Sequence, residues 1–460
     1  LVGSEMCIRD RHMSVEVPLV KNKVSFTASA RSTYSDWLLK RIKNQDISNS
    51  YASFYDGTAA LDAELNARNR LELFFYSSSD RFLLAEKNEY SYSNLGASIH
   101  WKHRFSDAFS SDLVLSNSDY RFSNIDKNNV TEAFRQKYAI RHTEGRADFV
   151  LTPGTRQRIE FGVNAILYGL DRGNVLPYGE ESRRIPIHLG REQGLEGALY
   201  LSDEIRLLKW LSVMGGIRYS RYTQVGPATV NKYTGGIPLS RLNIEETTSY
   251  GSWEPVQTYS GFEPRTMLNF GLGPNSSIKA SYNRLQQYIF LLSNTIAIAP
   301  NDQWKLTDTH IRPPVSDQVS LGYYQDLKDD CINLSFEIYR KWIDNVVEYR
   351  DGADFISSEP LETMVLQGSQ DAYGFETMLR KNTGKLTGWL SYTYSRSIVT
   401  VDGPTDRERI NKGKAYPSNY DRPHSINLVS NFRVSRRISF SSNLVYTTGR
   451  PVTLPIAIYY

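Results

Sequence analysis

Six groups of residues are of types that could do chemistry, so they are the first test of what this chain does. His100 and His103, in HWKH, could share a metal ion. At spacing three on a strand they leave opposite faces, which argues against joint ligation. Asn419 to His424, NYDRPH, sets a carboxylate beside a guanidinium and an imidazole. Such a run reads more simply as the salt-bridged mouth of a strand. No Ser, His and Asp set and no Cys and His pair carries a local signature of nucleophilic catalysis. Asp402, Asp406 and Glu408 form an acidic loop, but their order does not match a calcium loop. Gly271 and Gly273 lack the rest of a phosphate-cradling pattern and read as a strand end before a turn. The two cysteines, Cys7 and Cys331, are too far apart in sequence for a CxxC site or a disulfide framework. His142 and His188 sit near loops without partner spacing. No cofactor and no metal follows from these residues, and the chain is expected not to be an enzyme.

Binding is what remains, and the loops are the place for it. The candidate contacts are Tyr178, Tyr233, Tyr250, Trp253, Trp304, His310 and Arg312. Aromatic faces suit sugars, aryl groups and flat chelates alike. The alternative for these aromatics is that they only pack loop against loop.

Lys and Arg number 54 against 50 Asp and Glu, and the net charge of +4 is spread along the chain rather than clustered. That dispersal fits solvated loops and rims, not a nucleic-acid stripe. Tyrosines are 30 against Phe 19 and Trp 7, which suits a wall with aromatic girdles at two membrane interfaces. The longest apolar runs, such as Tyr288 to Leu292, fall far short of the roughly 18 residues of a membrane helix.

The elements that carry the loops are strands. Leu386, Leu390, Tyr392, Tyr394 and Ile398 share one parity, and Thr387, Ser391, Thr393, Ser395 and Ser397 the other. Leu95, Ala97, Ile99, Trp101, His103 and Phe105 alternate with Gly96, Ser98, His100, Lys102 and Arg104. Each such strand has one oily face and one wet face. Tight joints, as at Arg104 to Asp107, Thr152 to Thr155, Leu208 to Trp210, Gly273 to Ser276 and Lys328 to Asp330, take turns with long loops. The long ones are Ser35 to Asp56, Asp80 to Ser91, Ser123 to Lys137, Asp171 to Gln193, Gln224 to Thr258, Ile289 to Val315, Glu348 to Gln370 and Thr400 to Asp421. Short turn, long loop, short turn, with oil outward and water inward, predicts a large antiparallel transmembrane β-barrel.

Roughly 17 strands are legible, many longer than the roughly 9 to 11 residues that cross a bilayer, so several should project beyond it. About 16 to 18 strands enclose an aqueous channel and about 22 a plugged one. Arg340 shares the oily parity of Leu334, Phe336 and Ile338. It comes late in a strand that starts at a tight turn, so it should lie near the outer interface, where a charge is cheap, beside Trp342 of the outer girdle.

Segments such as VPLVKNKVSFTASARSTYSDWLL, GLEGALYLSDEIRLLKWLSVMGGIRYSRY, RPPVSDQVSLGYY, YGFETMLRKNTGKLTGWLSYTYSRS, YPSNYDRPHSINLVSNF and YTTGRPVTLP, in this order, resemble the barrel portion of TonB-dependent outer-membrane receptors. The resemblance is to the branch with an N-terminal carboxypeptidase-regulatory-like domain. It implies an all-β fold of about 22 strands around an N-terminal plug, with a TonB box pulled by TonB, ExbB and ExbD. Against that pattern the chain reads as a fragment, about 17 of 22 strands with the plug domain absent. Residues 1–11, LVGSEMCIRDR, resemble an adapter-like tag and are expected to lie outside the native protein, leaving 12–460 as a partial barrel.

The resemblance implies a receptor in the cell outer membrane importing a scarce nutrient such as a siderophore, cobalamin, peptide or glycan. The partners it implies are outer-membrane lipid and lipopolysaccharide, the TonB, ExbB and ExbD complex, and a surface lipoprotein, with no nucleic acid. The rivals are a passive porin, an outer-membrane enzyme barrel and a soluble β-rich adhesin. In the last, the oily parity would face a second sheet.

Overall fold

A computed structural model of the chain describes residues 2–6, 10–34, 36–85, 87–292, 303–327, 331–350, 352–353, 355 and 360–452. The joint Lys328 to Asp330, Cys7, Tyr460 and the centre of the loop Ile289 to Val315 lie outside the described residues.

Backbone groups in hydrocarbon have no water to bond, so period-two segments must satisfy one another. Here they do so in one 20-stranded antiparallel sheet. Leaving aside the two-residue strand Tyr416–Pro417, strands of this sheet that follow one another in the chain are hydrogen-bonded neighbours, from Val2–Met6 to Ser439–Thr447. Among the described residues these two are the edges of the sheet. Every strand read from the sequence is present, and Val2–Met6 and Asp10–Val20 precede them, pairing Arg11–Val15 with the run set aside as a tag. Because strand direction alternates, the joints at residues 67–68, 105–108, 155–156, 209–210 and 274–275 share one end, and the long loops share the other.

The two faces of the sheet separate as the alternation predicts. Leu199, Tyr219 and Phe262 are cross-strand partners on three adjacent strands, Ile187–Leu208, Leu211–Val225 and Pro255–Gly273. They stand on the outward face with Leu195, Leu201 and Ile217, and Leu199 and Phe262 keep 59% and 61% of their surface uncovered. The opposite parity of the same strands is buried and polar, with Glu196, Ser220 and Glu263. A protein in water would show the reverse. The only other sheets among the described residues are two-stranded hairpins, and neither covers the outward Leu and Phe row. The two-layer adhesin arrangement is therefore overturned, and bilayer hydrocarbon is the medium that fits this wall.

Arg340, the apparent violation, is answered by its neighbours. Its guanidinium makes a two-pronged bond to Asp371 on the next strand, 3.0 and 2.8 Å, and lies 5.1 Å over the Trp342 ring. The charge reaches the interface as half of an ion pair.

One expectation needs correction. The strands Asn69–Leu84 and Asn88–Arg104 run on until only residues 85–87 separate them, so no long loop spans Asp80 to Ser91. Phe109–Asp126, Phe134–Gly154, Gln157–Pro177 and Ile187–Leu208 likewise extend well into segments read as loops. Beyond the bilayer both faces are wet, so the ladder continues without an oily parity to announce it. Two of the long loops also hold hairpins of their own, Ala228–Tyr233 with Ile244–Tyr250 and Ile289–Leu292 with Gln303–Leu306.

Candidate ligand-binding mouth

The second of these hairpins enters the barrel. On one side it meets inward-facing wall residues near the long-loop ends of four neighbouring strands: Leu170, Glu192, Tyr222 and Tyr259. Alternation again explains the fit. Leu306 packs with Leu170, Tyr222 and Tyr288 against the wall, while Phe290 and Leu292 join Ile311, Leu361 and Val365 under the other loops. Tyr222, with no exposed surface, lies flat against Tyr288 at 5.0 Å and donates to the Thr307 carbonyl at 3.0 Å. Gly194 permits this, since a Cβ there would come within 2.5 Å of the Tyr222 ring.

A charged node fixes the hairpin. Lys305, 3% exposed, donates to Asp308 at 2.6 Å and Glu192 at 3.0 Å. Glu192 also accepts the Leu306 amide at 3.0 Å, and Asp308 accepts the amides of His310 and Ile311 at 2.8 Å each. Burial pulls the Lys305 pKa down, but Asp308 and Glu192 outweigh it and leave the ammonium above its usual value. Burial pushes Asp308 up, yet Lys305 and the two amides hold its carboxyl below the usual range. Buried charges persist when they are this fully bonded.

The hairpin Ala228–Tyr233 and Ile244–Tyr250 closes over the mouth from one side. Its Asn231 carbonyl accepts from His310 Nε2 at 2.9 Å, while Asn231 Nδ2 and the Tyr233 hydroxyl donate to Glu362 at 3.2 and 2.7 Å. The rings of Tyr233 and His310 meet edge to face at 5.4 Å. Arg312 is exposed, its backbone held on both sides by Gln367 at 3.0 and 2.9 Å.

Of the residues singled out in the sequence, the structure brings Tyr233 and His310 together. Trp304 is half-buried against the cluster of Leu170, Tyr222, Tyr288 and Leu306. Tyr250 ends its hairpin opposite Ala228, and Trp253 stands exposed just beyond. Tyr178 lies apart on the rim, with Lys127 and Arg135 at 5.3 and 5.1 Å from its ring centre. His100 bonds Asp112 and Glu72, whereas His103 bonds Asn69 at 2.7 Å, so the pair belongs to separate networks. In NYDRPH, Asp421 pairs with Arg396 of the preceding strand at 3.2 Å, not with its neighbour in the run. Arg409 clamps Asp402 and Asp406 at 2.8 and 3.1 Å, which offsets part of the acidic loop's charge.

Sequence reading missed Glu192, Lys305 and Asp308. A signal existed: Glu192 shares the inward parity of Glu196, and Lys305 and Asp308 are spaced to meet across one tight bend. What was missing was the direction in which the loop folds.

Comparison with known proteins fits this geometry. No curated relative matches the chain. Among solved structures, the ferric-catecholate import receptor Fiu from E. coli K12 superposes with a TM-score of 0.63 at 13% identity, over 94% of this chain and 68% of that one. The siderophore receptor PiuA from Acinetobacter baumannii gives 0.63 at 13%, over 95% and 69%. The hemophore receptor HasR from Serratia marcescens, solved with its hemophore HasA and heme, gives 0.63 at 13%, over 96% and 70%. At such identities the likeness is one of fold. The sequence model of the TonB dependent receptor-like β-barrel family matches residues 24–452, nearly the whole chain, and so this protein belongs to that family of outer-membrane receptors for TonB-dependent nutrient import.

Proposed function

We propose that this barrel captures a scarce nutrient at the cell surface, such as a siderophore, cobalamin, a peptide or a glycan. The nutrient passes inward when a plug in the lumen is rearranged by force from TonB, ExbB and ExbD. The observation that carries the reading is the mouth itself. Two loop hairpins are folded over and into it, fixed by the Lys305 node and by the Tyr233, Asn231 and Glu362 bonds. A wall that only let solutes diffuse has no need of so many ordered polar and aromatic groups at its outer end. No covalent bond is made or broken in this scheme, which leaves the chain outside enzyme chemistry.

The segment likeness supports the branch with a carboxypeptidase-regulatory-like domain, and residues 1–11 are read as a tag. Leu242, almost wholly exposed at the end of its loop, and the nearby exposed Ile237 offer apolar surface to a lipoprotein cap. Outward apolar rows are what lipid and lipopolysaccharide would cover.

The test is uptake by cells carrying the complete gene, in hosts with and without TonB, across labelled ferric chelates, cobalamin, peptides and oligosaccharides. One class should enter only when TonB is present. Uptake of small solutes that is indifferent to TonB would make the protein a passive porin.

A further inference from the structure

We propose that two neighbouring tight turns, residues 382–385 and 434–438, form a cationic corner that binds net-anionic phospholipid of the phosphatidylglycerol type in the periplasmic leaflet. The proposal rests on the outer-membrane location of the barrel and is independent of which nutrient it carries.

The tight joints as a set are basic. In sequence the nine of them between Asp10–Val20 and Ser439–Thr447 hold nine Lys and Arg against three acids, Asp107, Asp329 and Asp330. The whole chain, with 54 against 50, is close to balance. In a barrel of this kind the short turns face the periplasm, so the excess of positive charge lies at the inner surface of the membrane.

That excess gathers where two joints adjoin. The strands Val365–Lys381, Leu386–Thr400, His424–Arg433 and Ser439–Thr447 lie side by side, and the Arg433 amide donates to the Lys385 carbonyl at 2.8 Å, which ties one turn to the other. The corner so formed carries Arg380, Lys381, Lys385, Arg433, Arg436 and Arg437. Among the described residues none of these six has a carboxylate within 4.0 Å. Cations beside other joints are matched: Arg70 and Lys102 share Glu72 at 3.1 and 3.2 Å, and Arg158 uses Glu160 at 2.6 Å. The corner is left to find its anions outside the protein.

Depth selects the anion. Leu386, Phe432 and Phe440 are cross-strand partners on the outward parity, all exposed, and they form the last outward row before the turns. Val434 and Ile438, inside the second turn, are exposed as well, so hydrocarbon reaches the turns themselves. Lys385 adjoins Leu386, and Arg437 is three residues from Phe440, no more than about 10 Å of chain at about 3.3 Å per residue. Long cationic side chains at that depth end in the headgroup layer. Lys381 already bends towards it, its Nζ donating to the Thr383 carbonyl at 2.9 Å. The anion within reach is a headgroup phosphate, whose oxygens suit the guanidinium forks of Arg436 and Arg437. A zwitterionic headgroup would bring an ammonium to a corner without a carboxylate to receive it, so a net-anionic lipid is favoured. A polymer of the periplasm would have to rise to the hydrocarbon edge to make the same contacts.

The experiment uses the complete protein in nanodiscs of phosphatidylethanolamine and phosphatidylglycerol mixed in a known ratio. Lipids that stay on the protein after transfer to detergent are counted by native mass spectrometry. Wild type is compared with K381Q/K385Q/R436Q/R437Q and with K40Q/K43Q/K412Q/K414Q, which removes four exposed lysines from the long loops at the other end. Heat-dependent gel mobility verifies that each barrel is folded. We expect wild type and the loop variant to retain phosphatidylglycerol several-fold above its share of the nanodisc, and the turn variant to fall to that share. Unchanged enrichment in the turn variant, or an equal loss in the loop variant, overturns the site. Wild type that holds the two lipids in the nanodisc's own ratio, or gives up phosphatidylglycerol to inorganic phosphate alone, overturns the choice of lipid. Uptake that does not depend on TonB, with the enrichment intact, would end the transport reading and leave this site standing.

Discussion

The Lys305 ammonium lies 3.0 Å from the carboxylate of Glu192, joining an outer loop to the inward face of a wall strand. Lys305 is buried and Glu192 largely so, and Asp308 completes the node at 2.6 Å. Removing the cation strands two carboxylates away from water. Lys305→Met should therefore loosen the hairpin by about 3 to 5 kcal/mol while leaving the wall paired. Hydrogen exchange localised to peptides spanning 287–311 would report it as faster opening there and unchanged protection in Gln157–Pro177. Equal protection in both proteins would mean that packing alone holds the hairpin.

The same node sets a pH dependence. Asp308 has a lowered pKa, so its contribution is complete above the ordinary carboxylate range and fades as pH falls through the lowered value. Lys305 has a raised pKa, so its contribution is complete below the ordinary lysine value and fades as pH rises through the raised one. Protection of the hairpin should be flat between roughly pH 5 and 9 and decline on both sides. Protease cleavage within the loop, followed against pH in the folded barrel, measures this. A steep change near pH 7 would assign control to some other group.

Asp371 is the partner that lets Arg340 stand on the outward face, and the two should behave as a unit. Asp371→Leu alone leaves the guanidinium facing the interface without its carboxylate, and Arg340→Leu alone leaves the carboxylate. The double variant presents two apolar side chains to lipid. Folding yield into vesicles should fall in each single variant and return towards wild type in the double one. A double variant as poor as the worse single would show that the pair does more than neutralise.

What the sequence revealed and what it hid follow from the medium. Leu199, Tyr219 and Phe262 were legible as outward residues because hydrocarbon demands apolar side chains at every second position. The extra length of Phe109–Asp126 and Ile187–Leu208 was not, since above the bilayer no such demand exists. Asn69–Leu84 runs on through Asp80, Arg81 and Phe82, residues that read as loop, because their backbones pair whatever their side chains are. The Lys305 node depends on a loop turning inward, a choice that no local periodicity encodes. Tyr233 and His310 were found as aromatic loop residues, but their joint anchoring by Asn231 and Glu362 is a long-range fact.

That anchoring divides the loop residues by what their loss should do. Tyr233, His310 and Trp304 are engaged with other loops or the wall, so Tyr233→Phe or His310→Ala removes a hydrogen bond worth about 1 kcal/mol to loop order. Affinity for any ligand should then fall together with hydrogen-exchange protection of the mouth. Trp253 and Arg312 are exposed with their backbones already fixed, so Trp253→Ala and Arg312→Gln remove surface that only a ligand or a partner would cover. For these two, affinity for the transported class should fall several-fold or more with loop protection unchanged. Parallel measurement of binding and exchange on all four variants decides the matter. If Trp253 and Arg312 leave affinity untouched while Tyr233 and His310 abolish it, the ligand sits deeper, against the inward wall beside Tyr222 and Tyr259.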